Sequence, residues 1–100
     1  MAVAEVSVAP VGTATPSISE HVARCVDVLD ESGLEYRVCP MGTVIEGEVD
    51  EILAAVAKMH AIPFGSGAER VLTHLTIDDR RDKTLTMDGK LAAVRARRAR

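Results

Sequence analysis

Thr43, Glu46 and Glu48 fall within one nine-residue stretch, PMGTVIEGE at residues 40–48. Thr43 offers a hydroxyl, the peptide around Gly42 offers unshielded backbone groups, and Glu46 offers a carboxylate. Met41 adds a soft, adaptable wall. Such a set suits a ligand that carries hydrogen-bond donors and a positive charge, since desolvated charge-assisted hydrogen bonds contribute about 1.5–3 kcal/mol each. The same nine residues also make a plain hairpin. Pro40 and Gly42 form the turn, Val44 and Ile45 fill a strand, and Glu46 and Glu48 face water.

Little else in the chain suggests reactivity. There is no nucleophile motif, metal-ligand cluster or phosphate loop. His21 reads as a solvated first-turn residue and His60 as a helix-end residue, while His74 has a place on an open sheet face. Cys25 and Cys39 lie in different elements without metal-ligand spacing and read as small hydrophobes. Asp79, Arg80 and Arg81 read as ion-paired turn residues, where exposed pairs contribute about 0–1 kcal/mol. The expectation is a protein that is not an enzyme and needs no cofactor or metal.

The elements that must position these residues follow from periodicity. Val3 to Ala9 alternates, with Ala4, Val6 and Val8 on one face and Glu5, Ser7 and Ala9 on the other, which predicts a strand. Ser17 and Glu20 predict a capping box opening a helix whose stripe is Ile18, Val22, Cys25, Val26 and Leu29, stopped at Gly33. Leu34 to Cys39 predicts a second strand and Thr43 to Glu46 a third. Val49, Ile52, Leu53, Val56, Met59 and His60 form the stripe of a second helix, which IPFGSG at residues 62–67 is expected to break. Arg70 to Ile77 alternates as a fourth strand, DDRRD is a charged turn, and residues 84–95 suit a last helix that Gly89 weakens. The order β-α-β-β-α-β plus a helix predicts an α+β, ferredoxin-like sandwich with a four-stranded antiparallel sheet in a single domain spanning residues 1–100.

Helices on one side leave the other sheet face open. Glu5, Ser7 and Ala9 belong to that face, joined by Arg70, Leu72, His74 and Thr76. The third strand adds Thr43, Ile45 or Glu46, depending on a register that a one-residue slip inverts. The mixture of charges, hydroxyls and aliphatics suits either a subunit interface with polar pockets or an ordinary wet sheet face. A chain of 100 residues gains from self-association.

Composition narrows the partners. The apolar share of 47% excludes a disordered chain, and an aromatic share of 2% argues against a stacking platform for single-stranded nucleic acid. A net charge of -3 argues against a general nucleic-acid binder, and RARRAR at residues 95–100 reads as a flexible basic tail. MAVAEVSVAP alternates like a strand and lacks the basic start of a secretory leader, and no stretch reaches membrane-span length. The expected location is the cytoplasm, with no membrane partner.

Three blocks, taken in order, carry a resemblance. They are VAEVSVAPVG before the first helix, YRVCPMGTVIEGEVDEIL from the second strand into the second helix, and ERVLTHLTIDDRRDK through the fourth strand. Together they resemble the small thiamine-binding (YkoF-like) family of ferredoxin-like proteins, over nearly the whole chain but not from Gly89 onward. Met41-Gly42-Thr43 and Glu46-Gly47 are the most distinctive part. The resemblance implies subunits that assemble into dimers and tetramers, and binding of thiamine or its hydroxymethylpyrimidine part without known catalysis. The positions it carries over are Ser7, Met41, Gly42, Thr43 and Glu46; the open face adds Glu5, Arg70 and His74. With no tryptophan, stacking on a ligand ring would fall to Tyr36, Phe64 or aliphatic side chains. The alternatives are an oligomeric interaction protein without a small ligand, and an enzyme of thiamine-precursor metabolism.

Overall fold

The computed structural model describes residues 1–13 and 18–98. Its elements are β1 (Ala2–Pro10), α1 (Ser19–Ser32), β2 (Glu35–Cys39), β3 (Gly42–Gly47), α2 (Val49–Gly65), β4 (Val71–Asp79) and α3 (Met87–Arg98). All strand pairs are antiparallel in the order β2-β3-β1-β4, which is the ferredoxin-like α+β arrangement with an added helix. β1 is central, pairing with β3 on one side and β4 on the other, and its Ala2, Ala4, Val6 and Val8 are all buried on the helix side.

The core lies between that face and the two helices. Leu29 of α1, Ile45 of β3 and Ile52 of α2 are fully buried at its centre, each stabilising the fold by about 1.5–3 kcal/mol. α1 ends at Gly33, whose φ of 75° is the left-handed cap that a glycine adopts without strain. Ser17, expected to open the capping box, lies outside the described residues; Ile18 is the N-cap, without a side-chain cap bond, and Glu20 pairs with Arg24 instead.

α2 departs from expectation. It does not break at Ile62 but continues through Pro63 to Gly65. Proline has no N–H for the carbonyl four residues earlier, so Met59 loses its helical partner. The Cys25 thiol of α1 lies 3.6 Å from that Met59 oxygen and donates to it. The helix closes one turn later in a Schellman pattern: Ala68 N–H bonds Pro63 O, Gly67 N–H bonds Phe64 O, and Gly67 takes a φ of 98°. Within the predicted α2 stripe, Leu53 is 46% exposed and Ala55 takes a core position in its place. His60, expected at a helix end, lies inside α2, which runs on to Gly65, and its Nδ1 lies 2.7 Å from the Thr73 hydroxyl of β4.

The open face is partly covered. Leu85 and Met87 pack on Val3, with Val44 alongside, so the segment after β4 folds back over the outer side of the sheet. Glu46 fixes this return by accepting a 2.8 Å hydrogen bond from the Met87 N–H at the start of α3. Asp88 pairs with Arg37 of β2, and Lys90 with Asp78 of β4. Residues 95–98 of the expected tail are helical, while residues 99–100 lie outside the described residues. Beyond Lys90 the helix is exposed throughout, and the molecule measures 50 × 28 × 19 Å. Its radius of gyration, 15.1 Å, exceeds the roughly 13 Å expected for 100 residues because α3 projects from the body.

Candidate functional site

Register decides which side chains can act together. Val6 pairs with Thr43 and Ala4 with Ile45, which puts Thr43 on the helix side of the sheet. Glu46 pairs with Val3 and therefore points to the outer face. The two polar residues that stand out in PMGTVIEGE are thus separated by the sheet itself. Glu46 is engaged in capping α3.

On the Thr43 side, the ends of β1 and β3, the β2–β3 turn and the first turns of α1 enclose a cavity of about 260 Å³. Ser7, Met41, Gly42 and Thr43 all contribute to its wall. Ile18, Val22, Cys25 and Met59 supply the apolar helix side, with Val6 and Val8 as the floor, and Cys39 and Pro40 complete the turn. Met41 stands at the mouth, 87% exposed. Thr43 is buried, at 7% exposure, and its hydroxyl has no hydrogen-bond partner among the described residues. A hydroxyl both donates and accepts, so this one is available to a guest.

The wall is otherwise nearly neutral. Burial pushes the Cys25 thiol above its ordinary range, which keeps it protonated and donating to Met59 O. The nearest acidic candidate is Glu5, across the sheet from the cavity. A Cβ added to Gly42 would lie 3.1 Å from the Val6 carbonyl oxygen and 3.3 Å from Glu5 Cγ. Gly42 thus permits the close approach of β1 and lets the Glu5 stem lie over the strand. Ser7 borders the cavity at the end of β1, yet by the alternation of the strand its side chain shares the outer side with Glu5, and it pairs with His74 of β4.

The remaining candidates lie elsewhere. His74 is exposed on the outer face. Arg70 borders a second, wider cavity of about 640 Å³ with Val11, Gly12, His21 and Ser66. His21 is half-buried there, and its Nδ1 has no partner among the described residues. Of the side chains expected to serve a ligand ring, neither Tyr36 nor Phe64 lines the smaller cavity; its surface is aliphatic and sulfur-bearing. Tyr36 instead donates to Asp30 of α1. The helix residues of the wall were not legible as site residues, because an apolar stripe looks the same whether it meets a strand or an empty space. Among the described residues no group of three or more His, Cys, Asp or Glu could hold a metal, and no helix is long and apolar enough to cross a membrane.

Comparison with known proteins adds to this geometry. The family described as thiamine-binding protein matches residues 4–95. The UPF0045 protein YqgV of Bacillus subtilis is 42% identical over 98 residues, covering 94% of each chain. A UPF0045 protein of Methanothermobacter thermautotrophicus is 38% identical over 96 residues, covering 95% of this chain and 97% of its own. Among solved structures, a Methanocaldococcus jannaschii protein superposes with a TM-score of 0.84 at 39% identity, over 93% of this chain and 94% of that one. A Thermotoga maritima protein, provisionally described as one of thiamine biosynthesis or salvage, gives 0.75 at 25% identity over 93% and 97%.

Proposed function

The chain belongs to the thiamine-binding protein family, and from that premise we propose that it binds thiamine, or the hydroxymethylpyrimidine part of it, in the cavity beside Thr43 and does not transform it. The observation that carries this reading is the Thr43 hydroxyl, which opens onto the nearly apolar cavity and has no hydrogen-bond partner among the described residues. A hydroxyl that both donates and accepts and has no competing partner among the described residues is open to a guest that fills the cavity. An aminopyrimidine presents paired donors and acceptors on a flat apolar ring, which matches one hydroxyl and exposed strand-end peptides set among Ile18, Val22 and Met59.

Size favours the pyrimidine as the enclosed part. A volume of about 260 Å³ lies just below the roughly 300–1,000 Å³ of sites that enclose drug-sized ligands. The thiazolium of an intact thiamine would then sit at the mouth, near Met41 and on the Gly42 side where the Glu5 stem lies. The same reading has the protein act in the cytoplasm as a homo-oligomer.

Isothermal titration with hydroxymethylpyrimidine and then with thiamine tests it. Saturable micromolar binding, about -8 kcal/mol, with one site per chain is the expected result. Absence of heat with both ligands, from a folded sample, refutes the ligand assignment. A ligand recovered from the titration cell chemically changed would refute the non-catalytic part.

A further inference from the structure

Residues 1–86 hold five arginines, and four of them are ion-paired: Arg24 with Glu20, Arg37 with Asp88, Arg80 with Asp82 and Arg81 with Asp79. The Arg70 guanidinium has no partner among the described residues. Carboxylates are not scarce, since the same stretch holds fourteen Asp/Glu against seven Lys/Arg. The free guanidinium belongs to the rim of the wider cavity, about 640 Å³, which Gly12, His21 and Ser66 also line.

Four segments of the chain meet there. Pro10 of β1 pairs with Val71 of β4, and the Val11 N–H donates to the Arg70 carbonyl oxygen at 2.8 Å, so the exit of β1 and the approach to β4 lie side by side. Arg24 of α1 donates to Ser66 Oγ just past the end of α2. That bond also orients the serine: its oxygen accepts from Arg24, so its own proton is left to donate elsewhere. His21 precedes Arg24 by one helical turn, and its Nδ1 is enclosed without a partner among the described residues. A neutral imidazole carries a single N–H. An enclosed nitrogen without an acceptor is the poorer place for it, so the proton sits on Nε2 and the ring donates from there. Gly12, at a φ of 76°, faces open space, and its N–H has no partner among the described residues.

These donors come from four directions: Arg70 from the approach to β4, Ser66 from the end of α2, His21 from α1 and Gly12 from the exit of β1. A carboxylate presents two oxygens in one plane. A phosphate presents three or more in tetrahedral directions, and an arginine fork matches two of them at once. We propose that this second cavity binds a phosphate group, held by the Arg70 guanidinium together with Ser66, His21 and the Gly12 N–H. Glu69 lines the same cavity and opposes an anion, so its removal should act in the opposite sense to the removal of Arg70. The phosphate has two sources, free orthophosphate or the phosphorylated end of a larger ligand. Both cavities flank the first two turns of α1, with Ile18 and Val22 in the wall of the smaller and His21 in the wall of the larger. A phosphate carried by a thiamine-like guest beside Thr43 is therefore the second source, and that source alone rests on the reading above.

Amide chemical shifts of the full chain, titrated with inorganic phosphate against sodium chloride at matched ionic strength, test the site in wild type, Arg70→Gln and Glu69→Gln. Both substitutions fall at exposed positions, and far-UV circular dichroism checks that each variant is folded. The expected result is saturable shifts at Gly12 and residues 66–70. The dissociation constant should be about tenfold higher in Arg70→Gln, the loss of one charge-assisted hydrogen bond, and lower than wild type in Glu69→Gln. Calorimetric titration with thiamine and with thiamine monophosphate distinguishes the sources. A monophosphate that binds at least tenfold tighter than thiamine, with the gain lost in Arg70→Gln, supports the site and makes the ligand's own phosphate its occupant. Equal affinities with saturable orthophosphate support the site and make the free anion its occupant. Saturable orthophosphate without heat from thiamine leaves this site standing and refutes only the ligand assignment above. Phosphate shifts that do not saturate, with no gain for the monophosphate, overturn the site, as does a phosphate affinity that Arg70→Gln leaves unchanged.

Discussion

Replacing Thr43 with valine separates binding from stability, because the two should move in opposite directions. The substitution keeps shape and branching and removes only the hydroxyl. In the free protein the residue is buried but its hydroxyl opens onto the cavity and has no partner among the described residues, so its loss removes only part of the desolvation penalty of about 1–3 kcal/mol that a fully buried, unpaired hydroxyl carries on mutational scales. Some of that penalty is already relieved where the hydroxyl faces the cavity, so a gain of about 0.5–1 kcal/mol is expected, with the melting temperature rising by roughly 2–8 °C for a domain of this size. Ligand binding loses one neutral hydrogen bond, about 0.5–1.5 kcal/mol, so the dissociation constant for hydroxymethylpyrimidine rises by about 2- to 13-fold. Calorimetric titration and thermal melts of wild type and Thr43→Val give both numbers. A stabilised variant with unchanged affinity would show that the hydroxyl faces no ligand. A variant that melts markedly lower would show that Thr43 already has a partner in the free protein, and the cavity reading would lose the observation that carries it.

Three further outcomes are expected. Glu46→Ala removes the acceptor for Met87 N–H, a capping loss of about 0.5–2 kcal/mol, partly offset because Glu35 stands opposite Glu46 and like charges there repel; the urea midpoint falls, and ligand affinity stays unchanged because the carboxylate faces away from the cavity. In a double-mutant cycle, Cys25→Ala costs less in a Pro63→Ala background, since alanine at 63 returns a backbone donor to Met59 O; a coupling of about 0.5–1 kcal/mol is expected from urea denaturation, and strict additivity would contradict the substitute-donor role of the thiol. Burial raises the Cys25 thiol above the ordinary range of a free cysteine, so its contribution to stability is complete below the pKa of an unfolded cysteine and is lost as pH rises through the folded value; urea midpoints should fall above roughly pH 8.5 in wild type and fall less in Cys25→Ala.

Residue order makes β1 and β4 legible because period-two alternation has one structural meaning when one face is buried. Val6 and Val8 of β1, and Leu75 and Ile77 of β4, go to the core side, while Glu5, His74 and Thr76 go outward. In β3 the same logic is ambiguous: Thr43-Val44-Ile45-Glu46 has an apolar residue on each face, so only pairing with β1 puts Thr43 inside and Glu46 outside. Proline is a local signal for helix termination, yet α2 passes Pro63, and the Met59 carbonyl it orphans accepts from a thiol 34 positions before Met59 in sequence. Nothing local to IPFGSG encodes that. The cavity was half legible: Met41, Gly42 and Thr43 stand together in the turn, but Ile18, Val22 and Met59 join them only through the packing of two helices.

The position of β1 at the centre of the sheet also sets a timetable. Ala2 pairs with Gly47 on one side and with Asp79 on the other. At a synthesis rate of roughly 5–20 residues per second, the second pairing partner leaves the ribosome about 4–15 s after the first strand. For that interval one edge of a strand made largely of alanine and valine stays unpaired, the condition under which nascent chains join to one another. Glu5 is the only charge within AVAEVSVAP. Lying mid-strand on the outer face, it disfavours stacking of two such nascent segments while leaving the core face intact. Closure of the sheet therefore waits for β4, after which the segment carrying Leu85 and Met87 folds back over the outer face.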